Sequence, residues 1–266
     1  MVATVLSVAN ATKRFGGLVA VNNLSFEVNR NEVMGIIGPN GSGKTTMMNL
    51  ISGALRMSEG SISLEGRFIS ALKANQINRR GISRTFQMVR VLPGLSVAEN
   101  CIAGMAFGPR RMWGDEARYE AGRLLERVGL AKHEALPVGS LTYIDQKRLE
   151  LARALAADPK LLLLDEWLAG LNPTELQEGI ELIRSLREDG ITIILVEHVM
   201  DAIRMLCDRC VVMAAGGAII AALILGLIET TVARLIDPGL TLAAAYAIFV
   251  LVLLFRPQGL FGRKPS

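Results

Sequence analysis

Gly38-Pro39-Asn40-Gly41-Ser42-Gly43-Lys44-Thr45 has the spacing of a phosphate-binding loop, and its flanks decide how it is read. The apolar run 33–37 predicts a buried strand leading in, and Thr46-Met47-Met48-Asn49-Leu50-Ile51 has helical spacing of apolar residues leading out. A glycine-rich turn without chemical meaning would need neither neighbour. Glycines at 38, 41 and 43 let backbone N–H groups close on phosphate oxygens, and the positive end of the following helix faces the same anion. The nucleotide-contacting candidates are therefore Gly38, Asn40, Gly41, Gly43, Lys44, Thr45 and Thr46, with Lys44 as a point charge on the β and γ oxygens and Thr45 as a magnesium ligand.

Two further apolar runs end in polar groups. Leu161-Leu162-Leu163-Leu164 delivers Asp165 and Glu166, and the run 191–196 delivers Glu197 and His198. Ligands of open α/β sheets bind at such strand ends. An acid closing a fully apolar strand cannot stay unpaired, which points Asp165 at magnesium and leaves Glu166 to polarise an attacking water. A histidine after a strand is often structural, but three strand ends converging on one phosphate site favour a functional His198.

The loop, Thr85-Phe86-Gln87, Leu141-Thr142-Tyr143, Leu164-Asp165-Glu166, Ala169-Gly170-Leu171-Asn172 and His198 occur in an order that resembles the ATP-binding subunits of ABC transporters, over residues 1–213. Within that family Lys13-Arg14-Phe15-Gly16-Gly17, Arg84-Thr85-Phe86-Gln87, residues 149–155 and Val196-Glu197-His198-Val199-Met200 are similar to cassettes of branched-chain amino-acid uptake. The resemblance implies an α/β P-loop cassette with a helical subdomain near 88–158. It implies ATP and Mg2+ as ligands and ATP hydrolysis coupled to import of branched-chain or other hydrophobic amino acids. The implied partners are a second cassette, membrane permease subunits and an external binding protein, at the cytoplasmic face of the membrane. By position Phe15 would stack on adenine, Gln87 would contact magnesium and sense the permease, His198 would hold the γ-phosphate, and Asn172 would lie in the loop coupling the two ATP sites of a dimer.

One segment departs from the pattern. The family's Leu-Ser-Gly-Gly-Gln is here Leu141-Thr142-Tyr143-Ile144-Asp145. In a dimer it would reach the γ-phosphate held by the other subunit. Thr142 keeps the hydroxyl, Ile144 puts a β-branched side chain where glycine permits close approach, and Asp145 adds negative charge to the first helical turn. A tolerated variant and an impaired ATPase, down to a non-hydrolysing ATP-binding remnant, both fit.

Hydrophobic content of 51% and mean hydropathy of +0.37 are high for such a subunit. The excess lies in residues 214–266, where the runs 211–228 and 238–255 carry no charge and a basic end follows. The stretch from Gly217 to Arg263 resembles the C-terminal end of the permease from the same uptake systems. Two apolar helices in a membrane hairpin are expected, with a hairpin packed on the cassette as the competing reading. The net charge of +4 carries no nucleic-acid signature, and Gln87 and Thr142 are too close for the long coiled coil of DNA-repair ABC ATPases. Cys101, Cys207 and Cys210 are too few for a disulfide framework, reduced cysteines fit a cytoplasmic domain, and no signal peptide is expected at the start.

Overall fold

The computed structural model describes residues 3–214 and 217–219. Strands β1 (Thr4–Phe15), β2 (Leu18–Asn29) and β3 (Val33–Ile37) lead to helix α1 (Lys44–Ile51). Then come β4 (Glu59–Leu64), β5 (Arg67–Phe68), α2 (Ala74–Arg79) and β6 (Ile82–Arg84). Helices α3 (Val97–Phe107), α4 (Gly114–Arg127) and α5 (Tyr143–Ala156) follow, then β7 (Leu161–Asp165), α6 (Pro173–Glu188), β8 (Thr192–Val196), α7 (Met200–Leu206), β9 (Arg209–Ala214) and β10 (Gly217–Ile219).

The strands form two sheets. One has the order β2-β1-β4-β5, all antiparallel. The other runs β10-β9-β3-β8-β7-β6, parallel except at β10. Parallel strands covered on both faces read as continuous apolar runs, because each face needs its own hydrophobic set. In β7, Leu161 and Leu163 join Met34, Ile36, Ile194, Met47 and Met48 in the layer shared with the antiparallel sheet and α1. Leu162 and Leu164 join Ile193, Leu195 and the helices α3 to α7 on the other side. Truncating one of these fully buried leucines to alanine costs about 2–5 kcal/mol.

Helix starts follow local chemistry. Ser96 accepts from the Glu99 N–H while the Glu99 carboxylate accepts from the Ser96 N–H, a reciprocal capping box. Asn172 and Glu175 do the same for α6, with Pro173 at the first helical position. Helices α3, α4 and α5 occupy the stretch where the helical subdomain is expected.

The expected apolar helix after β9 does not begin at Gly217. Instead β10 returns antiparallel to β9, Gly217 against Ala214 and Ile219 against Val212. The physical reason is an open edge: β9 pairs with β3 on one side, and residues 217–219 satisfy the other. The permease-like hairpin and basic tail at 220–266 lie outside the described residues. Among the described residues no helix is long and apolar enough to cross a membrane.

Candidate functional site

The loop between β3 and α1 is shaped by what surrounds it. A Cβ on Gly38 (φ 152°) would sit 2.1 Å from the Met213 carbonyl oxygen, and one on Gly43 (φ 99°) 2.3 Å from that of Ala20. No side chain fits at either point. Gly43 also caps α1, with no side chain between the helix N-terminus and an incoming anion. Lys44 arches back to donate to the carbonyls of Gly38 and Pro39, at 2.8 and 3.0 Å. Burial lowers its pKa, and Glu166 and Asp165 oppose that shift. Thr45 is exposed and Thr46 half-buried.

β7 and β8 bring the carboxylates and the histidine to the same end of the sheet. Glu166 sits at φ 51°, a left-handed conformation that costs a non-glycine residue about 1–2 kcal/mol. Its N–H donates to Val196 O at 2.8 Å. The strained backbone presents a carboxylate gripped at both oxygens, by Gln87 Nε2 at 2.8 Å and His198 Nε2 at 2.9 Å. Thus Gln87, Glu166 and His198, three candidates from three segments, form one hydrogen-bonded unit.

Asp165 corrects one step of the sequence reasoning. It is 1% exposed, and its Oδ2 is paired with Arg84 Nη2 at 2.6 Å, so a metal is not needed to explain its burial. Arg84 also donates to Asn49 Oδ1 at 2.6 Å and Ser52 Oγ at 3.2 Å, tying β7 to the far end of α1. Asp165 Oδ1 remains buried and without a partner. Together with the Thr45 hydroxyl and the Gln87 carbonyl it offers hard oxygen donors, which fit magnesium. That orphaned oxygen is the observation favouring the fit.

Other candidates stand apart. Phe15 lies at the tip of the β1–β2 hairpin, 45% exposed, with Lys13 Nζ 4.9 Å from its ring centre. The hairpin reaches the loop through Ala20. Thr142 caps α5, accepting from the Asp145 N–H at 3.3 Å and donating its own hydroxyl to Asp145 Oδ2 at 2.7 Å. Arg148 lies 3.8 Å from the same carboxylate and is bonded to Glu178 on α6. The Asn172 side chain is committed to the α6 N–H groups of Thr174 and Glu175.

Sequence reasoning missed the charges that hold the loop after Glu166. Buried Lys147 donates to the carbonyls of Trp167 (3.0 Å) and Ala169 (2.7 Å), and Trp167 Nε1 returns a bond to Lys147 O at 3.1 Å. Burial lowers the Lys147 pKa, against the pull of Glu197, Glu150 and Glu166. Glu197 Oε1 accepts from the Leu168 N–H at 2.6 Å, and burial pushes its pKa up to about 7. A lysine inside the apolar pattern of α5 was the available signal.

The ABC transporter family model matches residues 21–169. The high-affinity branched-chain amino acid transport ATP-binding protein LivG of Salmonella typhimurium is 40% identical over 225 residues, covering 79% of this chain and 88% of that protein. BraF of Pseudomonas aeruginosa, described in the same words, is 38% identical over 226 residues, covering 80% and 89%. Among solved structures, the dimeric post-hydrolysis state of the ATP-binding cassette MJ0796 bound to ADP and Pi matches with a TM-score of 0.73 and 27% identity, over 80% of this chain and 95% of that one.

Proposed function

We propose a transport ATPase, because the chain belongs to the ABC transporter family: it is the ATP-binding and hydrolysing subunit of an importer for branched-chain or other hydrophobic amino acids. The carrying observation is the Gln87–Glu166–His198 unit at the strand ends beside Lys44. The substrate class rests on similarity to LivG and BraF. Partners of the same reading are a second cassette, for which the MJ0796 dimer is the precedent, two permease subunits at the cytoplasmic face, and an external binding protein.

In this mechanism the amides of residues 38–43 and Lys44 hold the phosphates, and Phe15 offers a face to the adenine. Thr45, Asp165 and Gln87 would hold Mg2+, which when bound neutralises phosphate charge. Glu166 orients the attacking water once nucleotide draws Gln87 and His198 away from its carboxylate, and His198 then contacts the γ-phosphate. Thr142 serves the nucleotide of the partner cassette, with Asn172 at the loop between the two sites. Bacteria lacking LivG should regain leucine uptake when given this chain and not its Lys44→Ala variant. Rescue of methionine uptake instead of leucine uptake would overturn the substrate class.

A second reading, an ATP-binding remnant without turnover, is favoured by the Thr142 hydroxyl being spent on Asp145. Steady ATP turnover by the dimer rejects it. Membrane insertion of the uncharged runs 211–228 and 238–255, the first of which gives residues 211–214 and 217–219 to β9 and β10, is a separate proposal, tested by flotation with vesicles after alkaline washing.

A further inference from the structure

Cys207 and Cys210 play no part in the ATP chemistry, yet they are packed as a pair. Cys207 caps the C-terminus of α7, its N–H on Ile203 O, and Cys210 lies in β9 opposite Gly35 of β3. A Cβ on Gly35 would lie 2.7 Å from Cys210 Sγ and 3.0 Å from Cys207 Sγ. Both sulfurs therefore cover the same point of β3, and Gly35 is the residue that leaves them room. The hydrogen bond between the two sulfurs raises the Cys207 pKa and lowers that of Cys210, burial opposing the latter shift and the Gly35 N–H adding to it.

The two residues between them are clamped. Asp208 accepts from the Val33 N–H at 2.9 Å and from Arg187 at 2.6 Å. Arg209 holds Glu32 through Nε at 2.5 Å and Nη2 at 2.9 Å, and reaches Glu27 O at 2.9 Å. The chain reversal that brings the sulfurs together is thus already held in the reduced protein, so closing a ring there sacrifices little further chain entropy. Both cysteines are half-buried, whereas Cys101 is buried with its pKa pushed up to about 12 by burial. Among the described residues no third thiol, imidazole or carboxylate completes a metal cluster with the pair.

We propose that Cys207 and Cys210 form a thiol–disulfide site, closed reversibly into an intramolecular bridge by oxidants of the low-molecular-weight disulfide class. Cys210 attacks as thiolate, because donors from Cys207 and Gly35 stabilise its charge. Its sulfur bonds to one sulfur of the reagent, whose S–S bond breaks to release a thiolate. Cys207 gives its proton to that leaving group and attacks the Cys210 sulfur, expelling the second half of the reagent as a thiolate, which takes from water the proton that Cys210 lost on ionising. Two protein thiols and one disulfide thus become one protein disulfide and two small thiols, with two electrons passing to the reagent. The bridge would lie against the middle of β3 and the start of β9, and further along β9 the Met213 carbonyl crowds Gly38 of the phosphate loop.

The full chain, reduced and freed of reductant, is incubated with glutathione disulfide, then denatured and its remaining thiols counted beside its intact mass. Expected is a fall from three free thiols to Cys101 alone, a mass lower by about 2 Da, no glutathione adduct, and full recovery with dithiothreitol. Cys207→Ser should stop at a single glutathione adduct on Cys210. Three surviving thiols in the parent, a persistent adduct, bridging between chains, or a Cys207→Ser protein left unmodified would each overturn the proposal.

Discussion

The cluster around Glu166 and the segment around Thr142, both proposed to meet phosphate, arrange their hydrogen bonds in opposite ways. In the first, partners come from three distant segments: Gln87 after β6, Glu166 after β7 and His198 after β8. In the second, Thr142 and Asp145 satisfy each other within one helical turn. A site assembled from distant strands is exact because the folded sheet fixes it. The segment proposed to work across a dimer is closed on itself, so a partner's phosphate would have to compete for the hydroxyl. Nucleotide binding should therefore be robust in this chain, and turnover should depend on how easily that cap opens.

The comparison breaks most visibly at Glu166. Glu166→Gln should keep ATP binding within a few-fold while hydrolysis falls by about 10²–10⁴, the usual worth of a positioned general base. Equal turnover in variant and parent, measured as phosphate release, would remove Glu166 from its role. Arg84→Met tests the support beneath the cluster. It leaves the Asp165 carboxylate buried without its cation and should lower unfolding stability by about 3–5 kcal/mol in urea titrations. Lys44→Ala comes next, removing a charge worth about 3 kcal/mol through its hydrogen bonds to phosphate. Nucleotide affinity should drop about 100-fold in direct binding, with the fold intact by circular dichroism.

β3, β7 and β8 were legible because a parallel strand buried on both faces is a run of apolar residues that no other element produces so briefly. The phosphate loop was legible because its function fixes glycine positions locally. Arg84 was not, since its partner Asp165 is 81 positions away and nothing in the Arg84-Thr85-Phe86-Gln87 segment shows which strand lies alongside. The partners of Lys147 and Glu197 were hidden for the same reason, being backbone atoms of 167–169 that only the fold brings near. The reversal into β10 was masked by an uncharged run whose composition suits a helix or a strand.

Glu197 sharpens the comparison, because it holds the chain between the two regions through the Leu168 N–H. Burial raises its pKa from 4.5 to about 7, with the charge on Lys147 opposing. The folded state thus binds the proton more tightly than the unfolded state. Stability from this group is complete below pH 4.5 and is lost as pH rises towards 7. Glu197→Gln removes the titration. Relative to the parent it should gain about 2 kcal/mol between pH 5 and pH 8, read as a few kelvin in melting temperature. Parallel melting curves across that range would mean that Lys147 keeps Glu197 ionised throughout.

The smallest expected effect bears most directly on the closed cap. In Ile144→Gly with Asp145→Gln, the Thr142 hydroxyl loses the carboxylate it now serves, and the backbone beside it gains room. Stability should fall, by about 1 kcal/mol for glycine inside the first turn and about 0.5 kcal/mol for the lost acid at the helix N-terminus. If the cap restrains turnover, ATP hydrolysis should nevertheless rise several-fold, with ATP affinity of the monomer unchanged because Lys44 and its loop are untouched. A less stable protein that works faster is the opposite of what general loosening produces, and so identifies the cap itself. Arg148 helps separate the two contributions, since it lies near Asp145 but is anchored on Glu178. Asp145→Gln alone should give most of the gain if charge matters, and Ile144→Gly alone if space does. Turnover unchanged in all three variants, with nucleotide-driven dimerisation also unchanged, would show that Ile144 and Asp145 are tolerated and that the two regions are less opposed in function than in their bonding.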